Sequence, residues 1–266
     1  MCKRKLSIEA EYEVKEKYES GYSILELTRL YGFKTKKSIY DIVRRRGGRI
    51  RTLEEELEVR NPKRKISFEK LDESFKAYFI GLMLTDGWVT GNSIGLSMTD
   101  KDVIDYVCEC FGKESNVIKK PGNRKLQYRF MTNNKRIVNE LKRFGIVERK
   151  SLTLQPPKLK KSEVKYLSYL MRGIIDGDGW IRKDGGEFFI CSASKDFLVW
   201  CKRVFESYYK FVPMNLIQGD NGIWYVRTSD DRNMMLLYAH IYYDNFGMKR
   251  KRNKLLKRFR EYNGRS

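Results

Sequence analysis

Two stretches decide how the chain is read: FIGLMLTDGW at 79–88 and MRGIIDGDGW at 171–180. Each closes an apolar helical run, 73–88 and 163–180, and each carries a glycine five positions before the aspartate of its Asp-Gly-Trp end: Gly81 and Asp86, then Gly173 and Asp178. Residues downstream of each copy repeat as well. Lys101-Asp102 comes after the first copy and Lys195-Asp196 after the second; Thr132 with Arg136 then corresponds to Thr228 with Arg232. Between these landmarks each half reads helix, two strands, helix, two strands, helix. Strands are expected at 88–90, 93–98, 116–120 and 125–131, then at 180–182, 187–191, 213–218 and 223–228. Helices are expected at 101–111, 133–144, 195–209 and 230–241. A tandem αββαββα unit implies an α+β monomer with a pseudo-two-fold axis.

Chemistry at the helix ends is set by residue type. Gly81 and Gly173 lack Cβ atoms and allow two apolar helices to pack closely along each other, which brings their C-terminal ends side by side. Asp86 and Asp178 then face the negative ends of two helix dipoles and repel one another. A divalent cation removes that conflict. Carboxylates with backbone carbonyls, here those of Gly87 and Gly179, suit a hard ion such as Mg²⁺, with Mn²⁺ as a substitute, and a metal site of this kind can hydrolyse a phosphodiester.

FIGLMLTDG and MRGIIDGDG resemble the two copies of the motif that names the LAGLIDADG homing endonucleases. The resemblance covers roughly residues 70–262. It implies two antiparallel sheets forming saddles over duplex DNA, and metal-dependent cleavage of both strands at a long, non-palindromic target. The catalytic acid implied is the last acidic residue of each motif, Asp86 and Asp178. Leu84 replaces the first acidic residue of the first motif, whereas the second keeps Asp176. Lys150 and Lys251 occupy corresponding places after the last helix of each half, where the resemblance implies basic residues near the active sites; either is a candidate catalytic residue that could polarise an attacking water or offset transition-state charge, or else position a phosphate. Some proteins of this fold bind intron RNA as maturases, which gives one alternative; a binding regulator that has lost cleavage gives another.

Composition agrees with a polyanionic partner. The 266 residues hold 55 Lys+Arg against 34 Asp+Glu, a net +21, while 41% hydrophobic content is enough for packed cores. The excess is uneven: +7 over residues 1–65, +8 over 246–266 and only +6 over the 180 residues between. One histidine, His240, excludes triads that need a histidine elsewhere and His-ligated zinc. Five cysteines without a CxxC pair fit a reduced, cytoplasmic protein. No apolar run reaches the length of a membrane span, and no membrane partner is expected.

Residues 1–47 read as a helix-turn-helix module with helices from Ser7, Ser23 and Thr35. Ile24, Leu27 and Leu30 form one apolar stripe and Ile39, Ile42 and Val43 another, leaving Lys36, Lys37, Tyr40 and Arg44 for DNA. Residues 48–69 read as a linker, 70–155 as the first half, and 156–266 as the second half with a basic tail. In the body, alternation along the strands makes Lys119, Arg124, Lys125, Gln127 and Arg129 candidates for DNA contact in the first half. Arg182, Lys183, Asn215, Gln218 and Arg227 are their counterparts in the second. Tyr128, Phe130, Trp224 and Tyr225 are expected in the core.

Overall fold

The computed structural model describes residues 6–60, 66–118, 126–150 and 154–264. The chain divides into two compact units, Met1–Ile66 and Ser67–Ser266.

In the first unit, α1 (Ile8–Glu19), α2 (Ile24–Leu30) and α3 (Lys36–Arg45) surround a core of Val14, Tyr18, Ile24, Leu27, Ile39, Ile42 and Val43. The caps are local. The Ser7 hydroxyl accepts from Ala10 N–H at 3.2 Å, and Ser23 with Glu26 forms a reciprocal capping box. Leu30, expected in the stripe of α2, is 57% exposed. Thr28 is buried instead, its hydroxyl donating to Ile24 O at 2.6 Å, because at 3.6 residues per turn two successive i+3 steps carry Leu30 off the face that Ile24, Leu27 and Thr28 share. Glu11 is buried and accepts from Arg45 and Arg46, at 2.7 and 2.8 Å, tying α1 to the end of α3.

The stretch expected as a linker starts as part of this unit. Buried Glu56, in α4 (Leu53–Arg60), accepts from Ile24 N–H at 2.6 Å and from Arg51 at 3.0 Å, while Arg51 N–H donates to Tyr18 OH at 2.8 Å. Charge alternation in 48–60 therefore reflects ion pairs within the stretch, Arg49 with Glu55 and Arg51 with Glu56, and hydrogen bonds from it to the helices, a distinction composition does not make.

The second unit opens with α5 (Ser74–Thr85), followed by β1 (Trp88–Thr90), β2 (Ser93–Met98), α6 (Lys101–Cys110), β3 (Asn116–Ile118), β4 (Gln127–Asn133) and α7 (Lys135–Leu141). The second copy repeats the series: α8 (Leu167–Asp178), β5 (Gly179–Ile181), β6 (Phe188–Ser192), α9 (Lys195–Arg203), β7 (Asn215–Gln218), β8 (Trp224–Thr228) and α10 (Asp231–Ile241). The two sheets are antiparallel, with orders β1-β2-β4-β3 and β5-β6-β8-β7, the same topology twice. One face of each sheet is buried under helices: Ile94, Leu96, Phe130 and Thr132 in the first, Ile181, Phe188, Ile190, Val226 and Thr228 in the second.

The expected basic tail is helical. It forms α11 (Lys249–Asn263), which packs on α10 and buries Lys251 and Leu255. With only two buried positions among many cations, its sequence reads as a solvated arm, and its helical state depends on packing.

Candidate functional site

α5 and α8 make the most extensive contact between any two elements, and glycine sets its closeness. A Cβ on Gly81 would overlap Leu170 O and lie 2.8 Å from Gly173 Cα; one on Gly173 would overlap Tyr78 O and lie 2.9 Å from Gly81 Cα. Gly177 is a third seam residue that sequence reading missed. Its Cβ would collide with Thr85, the side chain at the matching place in α5, so the repeat itself holds the clue: Thr and Gly alternate where the helices cross.

This seam delivers Asp86 and Asp178 to one place. Asp86 Oδ2 is 3.4 Å from where a Gly177 Cβ would stand. Among the described residues neither carboxylate has a hydrogen-bond or ion-pair partner, and Asp86 is exposed while Asp178 is half-buried. Protein packed around Asp178, with the Asp86 charge next in effect, pushes its carboxyl up to about 6. Asp86 also lies above the usual range through the protein crowding its inner side, with Lys251 and Lys150 opposing.

Lys150 and Lys251 stand behind the two helix ends, and the charge of each is felt by both aspartates. Lys150 and Lys251 are buried, at 5% and 2% exposure. Lys150 Nζ donates to Thr85 O at 3.3 Å and Gly87 O at 2.5 Å; Lys251 Nζ donates to Ile175 O at 2.6 Å, Asp176 O at 2.9 Å and Gly179 O at 2.5 Å. Each ammonium therefore satisfies carbonyls that a helix C-terminus leaves open and offsets the dipole facing the aspartates. Burial lowers both, Lys251 to about 8. The chemistry of the donor set fits a hard cation at the two carboxylates. At Gly87 and Gly179, expected to be carbonyl ligands, the oxygens already accept from ammonium groups, which repel a second cation.

Asp176, fully buried, is structural: its carboxylate accepts from Tyr78 OH at 2.7 Å, Tyr242 OH at 2.6 Å and Met248 N–H at 2.8 Å. The bond to Met248 fixes the start of α11, from which Lys251 reaches back to α8. Arg172 lies beneath it, wholly buried, bonded to Asp244, Ile241 O and Phe246 O.

The outward sheet faces test the strand alternation. Gln127, Arg129 and Met131 point out of the first sheet with Asn116, and Arg129 Nε donates to Ser97 at 3.4 Å. Lys119, Arg124 and Lys125 lie outside the described residues. In the second sheet Asn215 and Arg227 are register partners on the outward face. Gln218 pairs with Trp224 on the opposite face, because it stands three positions from Asn215 and strand side chains alternate. Arg182 and Lys183 stand in the turn after β5, Arg182 paired with Asp184 at 2.7 Å, while Arg227 is 2.6 Å from Glu187. Phe130 is buried as expected; Tyr225 is not, and shares the outward face with Phe189 and Trp180. On α3, Lys36, Lys37 and Arg44 are exposed, but Tyr40 packs against the core of its unit.

Paired glycine-seamed helices, an Asp-Gly end on each and two sheets of identical strand order define a LAGLIDADG-type fold. No protein-family model and no characterised protein matches the sequence. Solved structures of similar fold include full-length DUF199/WhiA from Thermatoga maritima, with TM-score 0.48 and 11% identity over 75% of this chain and 64% of that one. The LAGLIDADG meganuclease I-AabMI bound to uncleaved DNA has TM-score 0.46 and 10% identity over 71% and 91% of the two chains. Mesophilic variants of the homing endonuclease I-DmoI have TM-score 0.45 and 13% identity over 65% and 98%. The chain thus spans less than two thirds of the WhiA structure. No helix among the described residues is long and apolar enough to cross a membrane.

Proposed function

We propose that the protein is a metal-dependent, site-specific endonuclease for double-stranded DNA. The observation that carries this is the pair of free carboxylates, Asp86 and Asp178, at the ends of two helices that three glycines allow to touch. A binding protein gains nothing from two unpaired, mutually repelling carboxylates directed at a phosphate backbone. Mg²⁺, when bound, would supply Lewis-acid activation of water and of the leaving oxygen. Asp86 and Asp178 would hold it. Lys150 and Lys251 keep the helix ends rigid and cancel the dipoles that would otherwise disfavour the ionised aspartates.

Outward residues such as Gln127, Arg129, Asn215 and Arg227 would contact bases or phosphates. Their difference between halves implies a non-palindromic target bound by a monomer. Exposed Lys36, Lys37 and Arg44 on α3 would add phosphate contacts, so removing residues 1–65 should weaken binding and reduce its salt slope by roughly 0.9 per lost contact.

Incubating the full chain and Mg²⁺ with a randomised duplex library, followed by sequencing of the ends produced, tests the assignment. Defined double-strand cuts that disappear in Asp86→Asn and Asp178→Asn are expected, with a loss of at least about 10²–10³-fold in rate. Binding without cuts would favour the second reading, a non-cleaving DNA-binding protein, which the ammonium groups on the Gly87 and Gly179 carbonyls support. Selective binding of structured RNA would favour the maturase.

A further inference from the structure

The outward face of the second sheet carries rings where a groove reader needs polar side chains. Register sets Trp180 opposite Phe189, and their rings stack at 5.1 Å with 20° between planes. Phe189 meets Tyr225 edge-on at 5.6 Å and 77°. Ile217, 42% exposed, pairs with Tyr225 from the edge strand. Between Phe189, Ile217 and Tyr225 the surface sinks into a groove of about 260 Å³, with Glu187 and Arg227 among its walls. Glu187 Oε1 accepts from Arg227 at 2.6 Å, and Oε2 lies 3.7 Å from Arg182.

The fold does not require this row, because the described residues of the first sheet lack it. Gly95 takes the place of Phe189 opposite Trp88, and the Trp88 indole folds down over it, close enough that a Cβ on Gly95 would strike the ring. Beyond Gly95 stands Met131, where the second sheet has Arg227 beyond Phe189. Trp180 is exposed and Phe189 and Tyr225 are half-buried, and outward-facing rings in a row accept base faces whatever the sequence. An intact duplex offers only base edges in its grooves, so such rings are used when a base leaves the stack. Cys191, the register partner of Tyr225, has its thiol 3.5 Å from Asp178 O, so the row adjoins the candidate active site.

We propose that the second half-sheet holds an unstacked, amino-bearing nucleobase of a DNA strand in the groove between Phe189, Ile217 and Tyr225. Glu187 accepts a hydrogen bond from the exocyclic amine, using lone pairs left after its bond to Arg227. The chain's +21 charge draws the strand in. This rests on the reading that DNA crosses the sheet faces, and it adds that the two halves hold DNA differently, the second with a base out of the helix.

Fluorescence anisotropy of the full chain with labelled dC12, dA12 and dT12 oligonucleotides, an abasic strand of equal charge, and rC12 tests it. The base-bearing deoxy strands should bind at least about tenfold more tightly than the abasic one, and Phe189→Ala or Tyr225→Ala should each remove most of that advantage. Tyr225→Phe should keep it, which separates lost stacking from a damaged fold. Arg129→Ala, on the first sheet, should weaken all strands alike, and Glu187→Gln should erase the preference for dC12 and dA12 over dT12. Equal binding of the abasic strand, or an unaltered Tyr225→Ala, would overturn the proposal, and a preference that survives Glu187→Gln would overturn the role of the amine. Tighter binding of rC12 than dC12 would assign the groove to RNA and overturn it as a DNA site. Cleavage enters none of these measurements, so a chain that never cuts can still pass, and one that cuts can still fail.

Discussion

The two motif helices end alike and are held differently. At the end of α5 the residue two before the aspartate is Leu84, buried among apolar neighbours, and Lys150 ties two carbonyls. At the end of α8 the same position is Asp176, which binds two tyrosine hydroxyls and a backbone amide, and Lys251 ties three carbonyls. The contrast separates what the repeat must share, a glycine seam and a terminal carboxylate, from what each copy can change. The first copy secures its end by apolar packing, the second by a buried polar network. A buried network of this kind is costly if broken, since every donor left without a partner keeps its desolvation penalty.

The shared feature should be the most sensitive. Gly81→Ala and Gly173→Ala each press a methyl against backbone on the facing helix, which cannot rotate away. Both should lose at least about 3 kcal/mol of stability, the top of the overpacking range, or fail to fold. Urea denaturation of the two variants checks this, and unequal losses would show that the seam is less symmetric than its sequence.

Next is the position where the copies differ. Asp176→Leu gives the second copy the residue of the first but strands Tyr78 OH, Tyr242 OH and Met248 N–H, so a loss of about 3–5 kcal/mol is expected. A mild effect in the same denaturation assay would mean that Leu84 and Asp176 are interchangeable. The lysines extend the contrast at smaller scale. Lys251→Met, which removes three buried bonds, should cost about 2–4 kcal/mol, and Lys150→Met, which removes two, roughly half of that.

The smallest effect concerns the carboxylates themselves. The Asp178 carboxyl is raised to about 6, so its contribution to stability is full below the usual carboxylate range and is lost as pH rises through about 6. Asn mimics the neutral form. Without metal, Asp178→Asn should therefore melt higher than the parent at pH 7.5, by about 2–4 °C after allowance for solvent screening, with the gap closing by pH 4. Melting scans in EDTA at the two pH values decide this, and a gap that persists at pH 4 would place its origin elsewhere.

Several features were legible because they are local. Two copies of one pattern gave away the tandem fold and the order of helices and strands along each half, the glycine spacing placed the helix seam, and Ser7 and Ser23 announced their helices by side-chain capping. Period-two alternation put Gln127 and Arg129 on one face without any knowledge of partners. Other features depend on residues far apart in the chain. Lys150 and Lys251 look like free phosphate ligands in sequence, but over 60 residues separate each from the carbonyls it binds. Glu56 looks like linker charge until Ile24 N–H and Arg51 are seen to need it. Tyr225 shares its aromatic character with core residues, and although alternation with Arg227 already sets it outward, its neighbours there, Cys191 and Ile217, come only from the register. Sequence by itself determined what each segment can form, because hydrogen bonding within a helix or strand and its apolar period are short-range. Tertiary structure alone decided which polar groups are consumed in holding the fold and which are left for a ligand, because that choice depends on which distant donors and acceptors burial forces together.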